Sequence, residues 1–224
     1  MIEVRDPQLR DFMDSWHKPV DDDLASLRRS EESEGVPLIL TETESMLRLL
    51  LDMKKPRRIL ELGTAHGYSA LLFAKCCPDA LITTIDRNPG MTDFAEANFR
   101  RFSEGSRIDF RKGDALDVLS ALADETAASG EDLRYDLVFI DAGKSHYREF
   151  FDKCEALCAD DAFVVCDNIL LKGWLVECEG KEAKRHRTSI KYMRQFLEYI
   201  ESRDDLDVTL LSGGDGLAVI RFRK

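Results

Sequence analysis

Two acidic residues and a carboxamide stand at the ends of two apolar runs in this chain. Asp141 closes the run 136–140, and Asp167 with Asn168 closes the run 162–166. If these runs are neighbouring parallel strands, two carboxylates and an amide oxygen meet at one sheet edge. Hard oxygen donors in so small a cluster suit Mg²⁺, which keeps several waters and takes few protein ligands. A cation that chelates two vicinal oxygens lowers the pKa of a hydroxyl among them and orients it. Lys144, in the same DAGK stretch, is placed to remove that proton if the cation lowers its own pKa. Each residue also has a purely structural reading. Asp141 and Asp167 are possible helix caps, Asn168 a turn former and Lys144 a solvated helix lysine.

The element that must position this chemistry is the stretch 57–69, RRILELGTAHGYS. Ile59, Leu60 and Leu62 read as a short buried strand, Gly63 and Gly67 bracket a turn, and helical spacing begins at Tyr68. Glycines at such a turn let backbone approach a ligand, and the following helix presents unpaired N–H groups to it. The spacing is ExGxxxG from Glu61, whereas a dinucleotide site shows GxGxxG, whose second glycine admits a pyrophosphate. The turn therefore suits a ligand without phosphates, with a carboxylate or ribose near the helix start. An ordinary strand–helix turn is the structural alternative.

From residue 58 onward strands and helices alternate: 58–62 and 67–76, 81–86 and 91–102, 107–111 and 114–123, 136–140 and 145–158, 162–167 and 185–202, then strands 206–211 and 216–222. Strands separated by helices imply right-handed crossovers and a mainly parallel sheet. The turn SGGDG at 212–216 is too short for a crossover, so the last two strands pair as an antiparallel hairpin. The expected fold is an α/β doubly wound, seven-stranded sheet, with 124–132 as an exposed loop. The chain reads as one domain, a helical cover over 1–53 and a ligand-binding catalytic core over 54–224. Within the cover, Leu9, Phe12, Met13 and Trp16 form one helical face, and Leu24 and Leu27 another. Thr41 with Glu44 has the signature of a capping box.

Ligands in open α/β sheets bind beyond the carboxyl ends of the strands. Asp86, at the end of the second strand, can accept from two ribose hydroxyls or cap the next helix. After the third strand, Gly113 leaves room for a ring, while Asp114 can accept from an adenine amino group and also serve as an N-cap.

With 224 residues, 44% of them hydrophobic and 33% charged, the chain is typical of a soluble globular protein. A net charge of -11 disfavours indiscriminate binding to polyanions, so a nucleic-acid partner requires a local basic patch. Six cysteines fit no CxxC pattern and read as reduced, packed thiols. No signal-type or membrane-length apolar run occurs, and a cytoplasmic protein is expected.

Glu61 to Ser69, the FIDAGKSHY stretch ending at Tyr147 and the later Asp167-Asn168 pair resemble, in order and spacing, the metal-dependent class I S-adenosylmethionine (SAM) O-methyltransferases of the catechol and caffeoyl-CoA group. The likeness covers about residues 35–224. It implies a SAM pocket formed by Glu61, Gly63, Gly67, Ser69, Asp86, Gly113, Asp114, Ala115 and Asp141. It further implies Mg²⁺ on Asp141, Asp167 and Asn168, Lys144 and Asp141 as catalytic residues, and a homodimer. Catechol enzymes carry a bulky aromatic between the metal Asp and the Lys, whereas Ala142-Gly143 here is similar to the bacterial branch.

The stretch 168–194 holds Lys181, Lys184, Arg185, Arg187, Lys191 and Arg194, a basic cluster in an acidic chain. It reads either as a solvated helix face or as a phosphate contact that positions RNA without reading its sequence. With the closing GGDGLAVIRFRK, it resembles the bacterial tRNA 5-hydroxyuridine methyltransferases. That likeness implies tRNA as partner, with the wobble uridine's O5 hydroxyl beside O4 acting as a catechol-like oxygen pair. Trp174 and Tyr147 are candidates to stack on the base, or core residues. A small catechol or hydroxycinnamoyl acceptor is the second reading. A nicotinamide oxidoreductase lacks its GxGxxG here, and a non-catalytic SAM-binding RNA chaperone would bind tRNA without methyl transfer.

Overall fold

The computed structural model describes residues 7–130, 132–176 and 184–223. Three helices, α1 (Pro7–Trp16), α2 (Asp22–Ser33) and α3 (Thr41–Lys54), precede the alternating core. There follow β1 (Arg58–Leu62), α4 (Tyr68–Cys76), β2 (Leu81–Asp86), α5 (Pro89–Arg101), β3 (Ile108–Lys112), α6 (Ala115–Ser129), β4 (Tyr135–Ile140) and α7 (Tyr147–Glu155). β5 (Cys158–Asp167), α8 (Arg187–Glu201), β6 (Leu206–Leu211) and β7 (Leu217–Phe222) complete the chain.

The seven strands form one sheet in the order β3-β2-β1-β4-β5-β7-β6. Strands β1 to β5 pair in parallel, and β7 pairs antiparallel with both β5 and β6, as the short SGGDG turn requires. One face of the sheet buries its side chains against α6, α7 and α8, and the other against α2, α3, α4 and α5. Two-sided burial explains why β1 and β4 read as nearly continuous apolar runs rather than alternating ones.

Register decides where the polar strand ends fall. Leu62 lies opposite Ile85 and Ile140, and Ile140 lies opposite Cys166. The next residues, Gly63, Asp86, Asp141 and Asp167, are therefore side by side at the carboxyl edge. The strand order reverses between β1 and β4, and a ligand crevice opens at such a switch point.

Three local expectations are corrected. The segment 124–129 is helical and belongs to α6, because its alanines, Glu125 and Thr126 continue the helix until Gly130 ends it in a left-handed turn at φ 69°. The Thr41/Glu44 capping box does not form. Leu40 is the N-cap without a side-chain bond, and Glu44 is engaged in a buried ion pair. β5 starts at Cys158, ahead of the expected 162, through pairing of Cys158 with Tyr135 across a register shift.

Of the N-terminal cover, Leu24 and Leu27 are buried against the core, whereas Phe12, Met13 and Trp16 are exposed. The described cysteines are free thiols; burial pushes Cys77 up to about 11 and Cys158 to about 12, which keeps them protonated. Cys178 lies outside the described residues. Among the described residues no helix is long and apolar enough to cross a membrane.

Candidate active site

The turn after β1 is built for close approach. Gly63 has φ +99°, and a Cβ there would sit 2.2 Å from the Asp141 carbonyl oxygen, so only glycine lets β1 and β4 end side by side. Gly67, at φ +86°, opens α4, and its Cβ would meet the Phe99 ring at 2.4 Å. The turn is also held from beneath. Thr84 Oγ1 donates to Glu61 Oε2, and Thr64 and Thr84 hydroxyls share a 2.6 Å hydrogen bond. Glu61 is fully buried, and burial pushes its carboxyl up to about 8 against the Ser69 and Thr84 hydroxyls. Among the described residues its second oxygen has no hydrogen-bond partner, and Glu61 lines neither hollow of the cleft.

Two hollows of about 290 and 250 Å³ share Gly63, Asp86, Asp141 and Ala142 and form one cleft across the switch point. The first is walled by Leu38, Ile39, Tyr68, Ser69, Lys144 and Asn168. The second reaches Gly113, Asp114 and Ala115, where the sequence placed an aromatic ring. Asp86 sits where they meet. Its Oδ2 accepts from the Thr64 and Ala65 N–H groups at 3.1 and 2.9 Å, and its Oδ1 from Asn88 N–H at 2.8 Å. Of the two readings of Asp114, the structure shows the cap. Asp114 caps α6 through Leu116 N–H, and its carboxylate pairs with Arg87 at 2.7 Å on the cleft wall.

At the other end of the cleft, Lys144 Nζ donates to Asp141 Oδ1 at 2.6 Å and to the Tyr147 hydroxyl at 3.1 Å. The Tyr147 hydroxyl in turn donates to the Asp167 carbonyl at 2.7 Å, tying the ends of β4 and β5 together. Tyr147 is 1% exposed with its ring against Phe196, which excludes it as a base-stacking residue. Asp167 is also 1% exposed; burial and the Asp141 charge both push its carboxyl well up. Neither Asp caps a helix. Asp141 holds Lys144, and Asp167 Oδ1 accepts from Asn168 N–H at 2.7 Å.

The donor set fits a hard divalent cation. Two mutually repelling carboxylates and the Asn168 carboxamide offer oxygen only, and a cation would relieve the repulsion that raises Asp167. Among the described residues no group of three His, Cys, Asp or Glu side chains gathers to hold a metal. Asp141, Asp167 and Asn168 are the residues that would hold such a cation.

Long-range contacts around the first hollow were not read from the sequence. His66, within the glycine turn, hydrogen-bonds Glu31 of α2 through Nδ1 and stacks on Phe94 at 4.6 Å. Arg28 donates to Glu44 Oε2 (2.7 Å), the Ile39 carbonyl (3.0 Å) and the Tyr68 hydroxyl (3.2 Å), and Tyr68 donates to Glu44. Ile39 and Tyr68 line the hollow, so α2 holds its wall. The available signal was a glutamate inside the apolar spacing of α3, which a buried partner explains. Breaking a buried pair leaves an uncompensated charge. Arg28→Ala is therefore expected to lower unfolding free energy by about 3–5 kcal/mol in denaturant titration, and Arg28→Met with Glu44→Leu by much less.

Lys184 and Arg185, just ahead of α8, and Arg187 at its first position are exposed and form no ion pair among the described residues, while Lys181 lies outside the described residues. Trp174 stacks on His186 at 4.2 Å, which brings the beginning of α8 to the loop leaving Asn168.

The sheet order, the closing antiparallel hairpin and the cleft at the β1/β4 switch define the architecture of SAM methyltransferases. The chain belongs to the O-methyltransferase family, whose profile matches residues 22–223. It is 28% identical over 194 residues to a catechol O-methyltransferase of Niastella koreensis, covering 85% of this chain and 83% of that one. Caffeoyl-CoA O-methyltransferase 2 of Zea mays is 27% identical over 180 residues, with 78% and 66% covered. The crystal structure of the O-methyltransferase TomG from Streptomyces achromogenes, a complex with SAM, superposes with a TM-score of 0.81 at 25% identity over 100% of both chains.

Proposed function

We propose that this enzyme transfers the methyl group of SAM to O5 of 5-hydroxyuridine in the anticodon loop of tRNA, yielding 5-methoxyuridine. The observation that carries the acceptor is the exposed Lys184, Arg185 and Arg187 cluster in a chain of net charge -11, joined to the site loop through the Trp174–His186 stack. Phosphate contacts of this kind supply affinity and register, and an unpaired loop base enters a cleft without duplex melting. A divalent cation held by Asp141, Asp167 and Asn168 would supply the positive charge that lowers the pKa of the O5 hydroxyl. Lys144 takes the O5 proton. The oxygen then attacks the methyl carbon as the carbon–sulfur bond breaks, leaving the neutral thioether. Gly63, Ser69, Asp86 and the Gly113–Ala115 turn hold the donor in line, and positioning accounts for much of the rate. The exposed Phe12, Met13 and Trp16 face of α1 supports a homodimer.

A small catechol or hydroxycinnamoyl acceptor is the second reading, favoured by the names of the relatives. The deciding experiment incubates the enzyme with labelled SAM and total tRNA from cells lacking it, with and without Mg²⁺, followed by nucleoside analysis. Metal-dependent 5-methoxyuridine is expected. Label on catechol and none on RNA would move the acceptor to the second reading. Neutralising Lys184, Arg185 and Arg187 together should weaken tRNA binding and reduce the log–log salt slope by about 2, at roughly 0.7 per phosphate contact on a single strand.

A further inference from the structure

The loop that leaves β5 is held in a conformation its sequence disfavours. Asn168 (φ 58°), Leu171 (φ 50°) and Lys172 (φ 57°) are all left-handed, and none is glycine. L residues adopt this region at an energetic cost that surrounding structure must supply. Here it comes from the turn between β6 and β7. The Asp215 carbonyl accepts from Leu170 N–H at 2.9 Å, and the Gly216 carbonyl from Ile169 N–H at 3.1 Å. The Asp215 side chain adds the third bond, its Oδ1 accepting from Lys172 N–H at 2.6 Å. The surfaces are in tight contact, since a Cβ on Gly216 would lie 2.4 Å from Leu170 Cγ. On its far side the same turn is anchored to α3, where Gly214 N–H donates to Glu42 Oε2 at 2.5 Å.

We propose that Asp215 is a positioning residue for the cation site. Its side chain clamps 168–172 in the left-handed arrangement that keeps the Asn168 carboxamide in the cleft beside Asp141. The inference rests on the reading of Asp141, Asp167 and Asn168 as cation donors, and goes beyond it by assigning the site's geometry to a residue that acts through the loop carrying one of them. Partners bonded directly to a metal ligand are typically worth about 10- to 100-fold in metal affinity, and a clamp on the ligand's own loop belongs at the lower end of that range.

The test is Mn²⁺ binding to the full chain, followed by the electron-paramagnetic resonance of free Mn²⁺, with SAM binding by calorimetry in parallel. Asp215→Ala should weaken Mn²⁺ about tenfold or more while leaving SAM affinity within about twofold. Asp215→Asn keeps the oxygen acceptor and should retain clearly more Mn²⁺ affinity than Asp215→Ala. Adding Lys172→Gly to Asp215→Ala should recover much of the loss, because glycine takes the left-handed conformation without a clamp. Unchanged Mn²⁺ affinity in folded Asp215→Ala overturns the proposal, as does equal loss of Mn²⁺ and SAM binding. If Asp215→Ala fails to fold, Asp215→Ser, too short to reach Lys172 N–H, is measured with the same criteria. A parent protein that binds Mn²⁺ no better than Asp167→Ala would overturn the cation site itself, and the proposal with it.

Discussion

Asp167→Ala is expected to lower methyl transfer by about 10³-fold or more while leaving SAM affinity and stability intact. The activity loss follows from removing one of two carboxylates that would hold the cation, whose charge stabilisation is worth several kcal/mol. SAM affinity should persist because Asp167 lines neither hollow of the cleft. Stability should not fall, and this sign is diagnostic. The Asp167 carboxyl is buried and repelled by Asp141, so both influences oppose its charged form, and its removal relieves them. The link to Tyr147 runs through the Asp167 main-chain carbonyl and survives the substitution. Rates with labelled SAM, calorimetric SAM binding and thermal unfolding check the three parts. Full activity of the parent enzyme in chelator would refute the cation's role.

Lys144→Ala is expected to reduce kcat by about 10²- to 10⁴-fold, the usual contribution of a positioned general base, with little change in KM. Lys144 Nζ is fixed between Asp141 Oδ1 and the Tyr147 hydroxyl at the wall of the first hollow. Lys144→Arg separates two roles. Arginine keeps the positive charge beside Asp141 but does not deprotonate, so it rescues a charge-neutralising lysine and fails to rescue a base. Single-turnover kinetics should show the arginine variant as slow as the alanine one. Recovery of the parent rate by arginine would assign Lys144 to electrostatics instead.

Much of the fold was legible because its signals are local. The alternation of apolar runs with helical spacing, the glycine turn at Gly63 and the short SGGDG turn each depend on neighbouring residues, and each named an element the structure contains. The strand-end positions of Asp86, Asp141 and Asp167 followed from those elements and the rule for ligand sites in parallel sheets. Local reasoning failed where a distant partner claimed the residue. Thr41 and Glu44 have the spacing of a capping box, but Arg28 takes Glu44 into the interior. Tyr147 was an open choice between stacking surface and core until α8 covered it with Phe196.

Chain order and residue type alone thus determined the sheet, its closing hairpin, the glycine turn after β1 and the set of acidic residues at the strand ends, since periodicity and turn chemistry are written over a few residues. Only tertiary structure decided which residues hold that set in place. Glu31 meets His66 across 35 positions, Arg28 meets Tyr68 across 40, and Asp215 meets Lys172 across 43. No sequence pattern encodes such pairs, because they exist only once packing has brought separate elements within the few ångströms over which a hydrogen bond forms.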